Sequence, residues 1–264
     1  MKYCRFSTNS GPRYGLIQSI DGTDHITQTA PDGPLPDFGS AAKISPVPVA
    51  SVALLQPVNP SKILCVGRNY ADHAKELGNE VPAEPLLFFK PPTSLLAPGG
   101  RIVLPPGRLS QRVEYEAELT VVIGRTCRNL GPNNDVRHYI FGYTCSNDVT
   151  ARDLQRKDGQ WWRAKGFDTF CPSGPIVTNE IDPWAGVQVE ARVNGAVKQS
   201  ASTKIFIFPL DLVIRYIAQV MTLLPGDIIL TGTPAGVGPL ASGDEIEVSV
   251  EGVGTLKNTV VAVD

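Results

Sequence analysis

The chain has 264 residues, 42% of them hydrophobic and 19% charged, which is enough to bury a large core in one or two domains. Its formal net charge is −2 and its Lys and Arg residues are scattered, so the sequence does not indicate a surface that binds nucleic acid or an acidic membrane. No run of about 18 apolar residues occurs, and the start of the chain lacks a secretory apolar region. We therefore expect a cytoplasmic protein whose partner is a small molecule.

The first 57 residues contain short β-prone segments, at residues 3–6 and 14–20, separated by Gly, Asp and Pro. The Pro-rich run I-S-P-V-P-V-A follows them. This pattern predicts a small β-rich N-terminal domain with its linker over residues 1–57 and a second domain over residues 58–264. The five cysteines are odd in number and include no C-x-x-C pair, so we expect buried, reduced thiols.

A short helix is predicted from Ala71 to Leu77, ended by Gly78, after the strand-like run K-I-L-C-V-G. His73 and Glu76 are three residues apart and share one face of this helix. A carboxylate beside an imidazole orients the ring and raises its basicity, as a base that activates water requires. The alternative is an ordinary surface pair on a charged helix. Because a helix of two turns is marginal by itself, we expect a lid that orders over a bound ligand.

Glutamates alternate along the strand-like run V-E-Y-E-A-E-L-T-V-V-I-G, and Asp148 follows a later apolar run. Side chains two apart share a strand face, so Glu116 and Glu118 can converge on one cation. Oxygen ligands without His or Cys suit Mg²⁺, Mn²⁺ or Ca²⁺. The alternative is that Glu114, Glu116 and Glu118 line the solvated face of a strand. A short helix is predicted over residues 134–139, before the strand that leads to Asp148.

Candidate substrate-binding groups follow Asp148 along the chain. Arg152 and Gln155 are one helical turn apart and close enough in sequence to Asp148 to face a metal-bound substrate. Lys165 follows two tryptophans that can partly desolvate its ammonium group, which could hold an anionic oxygen. In the loop T-G-T-P-A-G-V-G a hydroxyl of Thr231 or Thr233 could bind a carboxylate, although a Gly-rich loop after a strand is most often only a turn.

The last third of the chain predicts strands, one hairpin and one core helix. Asn194-Gly195 between two strand-like runs predicts the hairpin. Apolar residues at helical spacing predict a helix from Pro209 to Leu224, ended by Pro225-Gly226. Many short strands punctuated by 25 Gly and 23 Pro, with few helices, predict a fold that is mainly β with some α, as a mixed β-sandwich or roll.

Taken in order, six segments resemble the fumarylacetoacetate hydrolase family over residues 62–260: G-R-N-Y-A-D-H-A-K-E, P-L-L-F-F-K-P, Y-E-A-E-L, N-D-V-T-A-R-D-L-Q, A-K-G-F-D-T-F-C-P and L-T-G-T-P-A-G-V-G. The resemblance implies the mixed β-sandwich roll of that family's C-terminal domain, usually as a homodimer. It implies Glu116, Glu118 and Asp148 as ligands of Mg²⁺ or Mn²⁺. Glu114 falls where relatives often carry Asp, and we expect it to lie behind the ligands at most. The N-terminal domain resembles the short extra domain of some bacterial members.

The resemblance also implies roles for the other candidates. His73 and Glu76 would form a dyad on the lid, and Gln155 and Lys165 would lie near the reacting carbonyl. Thr233 would lie near a substrate carboxylate. Arg68 and Tyr70 would contribute to substrate binding at the hinge of the lid, and Arg152 would face the substrate.

Relatives of this kind act on compounds with a 2-oxo or 2-hydroxy-enoic carboxylate. The leading hypothesis is metal-dependent hydrolysis of a carbon–carbon bond in an acylpyruvate-type 2,4-dioxo acid. In it, His73 deprotonates water while Lys165 and Gln155 stabilise the oxyanion. The alternative is isomerase, tautomerase or decarboxylase chemistry on 2-oxo or 2-hydroxy-dienoic acids, as in 5-carboxymethyl-2-hydroxymuconate isomerases or oxaloacetate tautomerases. A third reading is a catalytically silent binder of keto acids, but a pure binder has no need of a base.

Overall fold

Strands account for 42% of the chain and helices for 15%, which confirms the predicted class, mainly β with some α. The computed structural model describes residues 1–263. No helix among these residues combines the length and the apolar character that spanning a bilayer requires.

The described residues form eighteen strands, which are, in chain order, β1 (Lys2–Thr8), β2 (Gly11–Ile20), β3 (Thr23–Pro31), β4 (Ala42–Pro48), β5 (Ile63–Gly67), β6 (Leu86–Lys90), β7 (Leu95–Leu96), β8 (Arg101–Leu104), β9 (Val113–Glu114), β10 (Ala117–Ile123), β11 (Ile140–Asn147), β12 (Thr150–Ala151), β13 (Cys171–Thr178), β14 (Gln188–Val193), β15 (Ala196–Ser202), β16 (Ile228–Leu230), β17 (Glu245–Val250) and β18 (Gly254–Ala262). The α-helices are α1 (Ala71–Glu76), α2 (Arg152–Lys157), α3 (Trp162–Lys165) and α4 (Leu210–Val220). Short 3₁₀ turns lie at Val49–Ser51, Pro92–Ser94, Val136–Tyr139 and Thr203–Ile205.

Two sheets pack face to face. The larger is mixed, in the order β4-β3-β2-β1-β13-β11-β10-β16-β5-β6, with β7 added beside β13. The smaller has the order β15-β14-β17-β18-β8, and its strands β14, β17 and β18 lie against β10, β11 and β13. Apolar side chains from both inner faces fill the space between the sheets, including Leu119, Val121, Val189, Val248 and Leu256. This is the sandwich arrangement that the sequence predicts.

The four N-terminal strands belong to the larger sheet. Lys2 and Tyr3 of β1 pair antiparallel with Thr178 and Val177 of β13, so the N-terminal segment continues the sheet. The ring of Tyr3 also contacts that of Phe141 on β11, with 5.5 Å between centroids. The first segment of the chain therefore shares hydrogen bonds and core with the rest of the molecule.

Strand β10 lies at the centre of the larger sheet and every one of its residues is buried. It pairs antiparallel with β11 on one side and with β16 on the other. Both faces of this strand are covered, which explains its nearly continuous apolar sequence E-L-T-V-V-I. The register sets Ala117 opposite Asn147 and Glu118 opposite Ser146, so the start of β10 lies beside the end of β11.

Helix α4 is shorter than the sequence predicts, since it ends at Val220 rather than Leu224. The chain leaves the helix because Leu223 and Cys127 exchange two backbone hydrogen bonds of 3.0 Å, and such a bridge requires extended backbone. The helix predicted over residues 134–139 is a single 3₁₀ turn at Val136–Tyr139.

Other local predictions are confirmed. The turn between β14 and β15 has φ of 52° at Asn194 and 78° at Gly195, which is the pattern of a type I′ hairpin. Gly78 has φ of +70° directly after the last turn of α1. All five cysteines are buried and free, and burial raises the pKa of the Cys145 thiol to about 12, so it is a poor nucleophile.

Candidate active site

Three carboxylates meet where β10 begins and β11 ends. The oxygens of Glu116, Glu118 and Asp148 that face one another all lie within 4.8 Å, and the three residues are 3%, 1% and 1% exposed. This burial excludes the alternative that the glutamates line a solvated face. Glu116 and Glu118 also do not lie on one strand as predicted, because β9 ends at Glu114 and β10 begins at Ala117. Glu116 is held in the break, where its N–H donates to Asn147 Oδ1 (2.9 Å) and its carbonyl accepts from Asp148 N (2.8 Å).

Arg152 ties this triad to a second layer of side chains. Its Nε donates to Glu114 (2.6 Å), its Nη2 to Glu116 (2.5 Å) and its Nη1 to Gln155 Oε1 (2.5 Å). Glu114, which is not part of the triad, also accepts from Arg112 Nε at 2.6 Å. Glu114 thus lies behind the triad. Arg152 is buried, and each of its three guanidinium nitrogens donates a hydrogen bond.

Two buried lysines neutralise part of the negative charge. Lys165 Nζ donates to Glu116 Oε2 (2.8 Å) and Asp148 Oδ2 (2.5 Å) and lies 5.0 Å from the centroid of the Phe88 ring. Lys90 Nζ donates to Asp148 Oδ1 at 2.6 Å and to the carbonyl of Val149 at 3.2 Å. Lys90 is not among the site residues predicted from the sequence. The signal that could have found it is a lysine that ends the apolar strand L-L-F-F-K, where a charge is buried only if it has a partner.

The carboxylates differ in their electrostatic environments. Burial favours the neutral acid of Glu116, but the charges of Lys165 and Arg152 outweigh it and hold the pKa of Glu116 well below its usual range. Burial and the neighbouring Asp148 and Glu116 charges raise the pKa of Glu118 well above its usual range. No cationic side chain among residues 1–263 lies within 4 Å of Glu118, whose nearest donor is Gly232 N at 2.6 Å.

The donor set fits a hard divalent cation. All the donors are carboxylate oxygens, the ligand type that Mg²⁺ and Mn²⁺ prefer. Glu118 is a buried carboxylate without a cation of its own, and a metal ion beside the triad would stabilise its charged form. The residues therefore fit the ion that the sequence predicts, and Glu116, Glu118 and Asp148 are the side chains that would hold it.

His73 lies on α1 and faces the same cavity as the triad. Burial is the main cause that lowers its pKa from the usual 6.5; the Glu116 charge opposes this shift, and the Arg152 and Lys165 charges add to it. Its Nδ1 lies 3.5 Å from Glu76 Oε2 but is buried without a hydrogen bond of good geometry. Both carboxylate oxygens of Glu76 accept instead from Gly236 N, at 3.0 and 3.1 Å. Glu76 thus lies beside His73 and holds α1 against the Gly-rich loop.

A single cavity brings most of the predicted residues together. It is lined by Val66, Gly67, Arg68, His73, Leu77, Asn79, Phe88, Glu116, Glu118, Asp148, Gln155, Trp161, Lys165 and Thr233. Asn79, Phe88 and Trp161 are not among the site residues predicted from the sequence. Nothing in a single sequence separates these cavity-lining side chains from ordinary loop and core residues.

Three predicted residues have roles in the structure that differ from direct contact with a ligand. Tyr70 is 1% exposed and its ring packs edge-on against Phe206 at 5.1 Å, outside the cavity lining. The hydroxyl of Thr233 donates to Ala117 O (2.9 Å), and that of Thr231 donates to Leu119 O (2.7 Å). Both threonine hydroxyl protons are therefore engaged by β10, although Thr233 still lines the cavity.

The profile described as fumarylacetoacetate (FAA) hydrolase C-terminal matches residues 62–261. The chain belongs to the fumarylacetoacetate hydrolase family. A second profile, described as Rv2993c-like, N-terminal, matches residues 1–57. Members of the fumarylacetoacetate hydrolase family are enzymes and typically bind divalent metals, and this chain has a buried acidic triad.

Relatives within the fumarylacetoacetate hydrolase family match most of the chain. Protein Rv2993c of Mycobacterium tuberculosis is 49% identical over 216 residues, which are 81% of this chain and 80% of that protein. The mitochondrial oxaloacetate tautomerase FAHD2B of Homo sapiens is 42% identical over 234 residues, 84% of this chain and 73% of that protein. The crystal structure of the 5-carboxymethyl-2-hydroxymuconate delta-isomerase of Mycobacterium smegmatis is 40% identical, covers 100% of both chains and has a TM-score of 0.88.

Proposed function

We propose that the protein is a divalent-metal-dependent isomerase of 2-oxo acids that interconverts their keto and enol forms. The observation that carries the proposal is a buried, uncharged base, His73, in the same cavity as the carboxylate triad and Lys165. Keto–enol conversion requires a base that can take a proton from carbon and return it to another atom. An imidazole with a pKa below 6.5 is ready to accept that proton at neutral pH.

The geometry indicates which nitrogen acts. Nδ1 of His73 is on the Glu76 side and has no exposed surface, so Nε2 is the nitrogen that a substrate can reach. As Nε2 gains a proton, the Glu76 carboxylate 3.5 Å from Nδ1 stabilises the imidazolium. Nε2 then returns the proton to carbon or oxygen, which completes either direction of the isomerisation.

Two further side chains can act on the substrate oxygens. Gln155 accepts from Arg152 through Oε1, so its amide nitrogen is left to donate to an oxygen in the cavity. Lys165 keeps its charge, because the Asp148 and Glu116 charges outweigh the effect of burial and raise its pKa. Mg²⁺ or Mn²⁺ held by the triad would supply further positive charge that stabilises a developing enolate.

The relatives include both kinds of enzyme, since one structure, 38% identical over the full chain, is named as a fumarylacetoacetate hydrolase. Two of them, similar over most of the chain, are named as a tautomerase and a delta-isomerase. Hydrolysis of an acylpyruvate stays a second candidate because Glu76 lies 3.5 Å from His73, and this pairing would equally activate water.

Proton NMR of the metal-loaded protein with enol-oxaloacetate and, separately, acetylpyruvate tests the proposal. We expect accelerated ketonisation of enol-oxaloacetate, lost in a metal-stripped sample. The His73→Gln variant should lose about 100-fold or more of this rate while still binding metal. Acetate plus pyruvate from acetylpyruvate would establish hydrolysis instead, and no acceleration with any of the substrates would refute both candidates.

The same assay, repeated across a range of pH, tests a prediction about the pH dependence of the ketonisation rate. The base works only when His73 is neutral, and burial lowers its pKa below 6.5. Activity should therefore be full at neutral pH and fall as the pH drops through that lowered pKa. An acid limb centred above pH 7 would contradict the assignment of His73 as the base.

A further inference from the structure

Tyr115 is a buried side chain next to the triad to which the proposed reaction gives no role. It lies in the break between β9 and β10 and is 3% exposed. Its hydroxyl donates to the carbonyl of Gly236 at 2.9 Å. Burial, together with the charges of Glu114 and Glu76, raises the pKa of Tyr115 to about 12. The hydroxyl therefore keeps its proton at neutral pH and remains a hydrogen-bond donor.

Gly236 connects Tyr115 to the proposed base. While its carbonyl accepts from Tyr115, its N–H donates to both carboxylate oxygens of Glu76, at 3.0 and 3.1 Å. The same carboxylate lies 3.5 Å from Nδ1 of His73. One residue of the Gly-rich loop thus links the Tyr115 hydroxyl to the pair formed by Glu76 and His73.

The Gly-rich loop is also held from the smaller sheet. Gln199 on β15 donates to the carbonyl of Pro234 (2.7 Å) and to the hydroxyl of Thr233 (2.8 Å). Gly236 has φ of +103°, and a Cβ there would collide with the carbonyl oxygen of Lys198. Only glycine fits this position. The loop therefore passes close against β15, and Tyr115 secures Gly236 from the side of β10.

We propose that Tyr115 is a positioning residue for the base. By holding Gly236 it fixes Glu76 beside Nδ1 of His73, which keeps the proton of the neutral ring on Nδ1 and leaves Nε2 free to accept one. The hydrogen bond of one ring nitrogen decides which nitrogen carries the proton. Tyr115 does not line the cavity, so it acts through Glu76 and not on the substrate. This inference rests on the proposed function, in which Nε2 takes the proton.

Nitrogen-15 NMR of the Mg²⁺-loaded protein, labelled at histidine and free of substrate, tests the inference without turnover. The chain has three histidines, and the signals of His73 are those that disappear in His73→Gln. In the wild-type protein at neutral pH we expect the proton on Nδ1. Tyr115→Phe removes only the hydroxyl, and the Nδ1 and Nε2 signals of His73 should then move towards each other as the second tautomer becomes populated.

Kinetics of enol-oxaloacetate ketonisation give a second readout. Tyr115→Phe should lower kcat about tenfold and change KM by no more than about twofold, because the groups that line the cavity remain in place. In a protein that already carries Glu76→Ala, the change Tyr115→Phe should cost no further kcat. Such non-additivity is expected when one residue acts through the other.

Tyr14→Phe is the matched control. Tyr14 is also buried, and its hydroxyl donates to the carbonyl of a glycine, Gly33, at 2.7 Å, in the N-terminal segment. This variant loses the same kind of hydrogen bond and should have a lower melting temperature. It should keep the wild-type kcat and the wild-type His73 signals.

The two readouts separate this inference from the proposed function. If the wild-type protein accelerates no ketonisation, the isomerase proposal fails, but His73 signals that move in Tyr115→Phe and not in Tyr14→Phe still support the positioning role. Unchanged His73 signals in Tyr115→Phe would overturn the positioning role and leave the isomerase proposal standing. An undiminished loss of kcat from Tyr115→Phe in the Glu76→Ala protein would also overturn it.

Discussion

Asp148 is a buried carboxylate with a lysine on each of its two oxygens. Lys90 bonds Oδ1 and Lys165 bonds Oδ2, at 2.6 and 2.5 Å. A divalent cation at the triad would compensate the same charge, so Lys90 and the metal support Asp148 by the same physical means. The effect of removing Lys90 should therefore depend on whether metal is present.

Lys90→Met should destabilise the metal-free protein by about 3–5 kcal/mol, because it leaves part of a buried ion pair uncompensated. Addition of Mg²⁺ or Mn²⁺ should raise the melting temperature of this variant more than that of the wild-type protein. Lys62→Met is the control, since Lys62 pairs at 2.5 Å with Asp227, a buried residue away from the triad. The Lys62→Met variant should also be less stable, but metal should raise its melting temperature no more than that of the wild-type protein. An equal rise in melting temperature on metal addition in both variants would contradict the role given to Lys90.

The residues that form the carboxylate site could be predicted from the sequence, but the hydrogen-bond partners of the side chains around it could not. The spacing of Glu116 and Glu118 and the position of Asp148 indicated an oxygen-ligand site that the structure brings together. The engagement of Arg152 by Glu114 and of the Thr233 hydroxyl by β10 depends on contacts between distant segments. Such contacts have no local sequence signal.

At the scale of elements, α1 is a short helix fixed at both ends. At its start, the Asn69 side chain donates to Thr231 O (2.8 Å) and accepts from Phe208 N (2.7 Å). At its end, Gly78 N donates to Lys75 O and Asn79 N to Ala74 O, which is a Schellman motif. Because His73 is on this helix, the motif positions the proposed base.

Gly78→Ala tests that dependence. Gly78 has φ of +70° and open space where a Cβ would lie, so alanine there costs only backbone strain of about 1–2 kcal/mol. We expect a lower kcat/KM with a small loss of melting temperature. Gly22→Ala is the matched control, with φ of +78° and equally open space in the turn between β2 and β3. It should lose similar stability and keep full activity, and equal loss of activity in both would refute a positioning role for the motif.

Some boundaries of helices and turns follow from the local sequence, and others depend on contacts with distant segments. The end of α1 at Gly78 and the hairpin at Asn194-Gly195 follow turn chemistry that the sequence carries. The early end of α4 follows from the bridge between Leu223 and Cys127, which are 96 residues apart in sequence numbering (223 − 127 = 96). Residues 221–224 continue the apolar pattern of α4 but are not helical, because Leu223 makes its backbone hydrogen bonds with Cys127 instead.

At the scale of the molecule, the N-terminal strands and the larger sheet share hydrogen bonds and core. The family profiles match residues 1–57 and 62–261 as two units, whereas β1 pairs with β13 inside one sheet. The strand-rich composition predicted the class, but which strands neighbour one another depends on pairings between segments far apart in the sequence. The homodimer and the cytoplasmic location stay predictions.

Deletion of residues 1–57 tests the independence of the two units. The deletion removes the partner of β13 and uncovers Phe141, against which Tyr3 packs. We expect an exposed sheet edge and therefore aggregation or a melting temperature at least several degrees lower. Light scattering and thermal unfolding measure both. A monodisperse truncated protein with the melting temperature of the full chain would show that residues 58–264 fold as a separate unit.

The ligand-bearing strand β10 is enclosed by neighbours on both sides, while the groups that surround the rest of the substrate lie on α1, α2 and the segments after them. Mutations at Asn79, Arg156 or Trp161 can therefore change the cavity beside the triad, which these residues line, without altering any strand pairing. The metal ligands and the base of one site thus depend on different parts of the fold, because strand pairing holds β10 whereas His73 lies on the short helix α1.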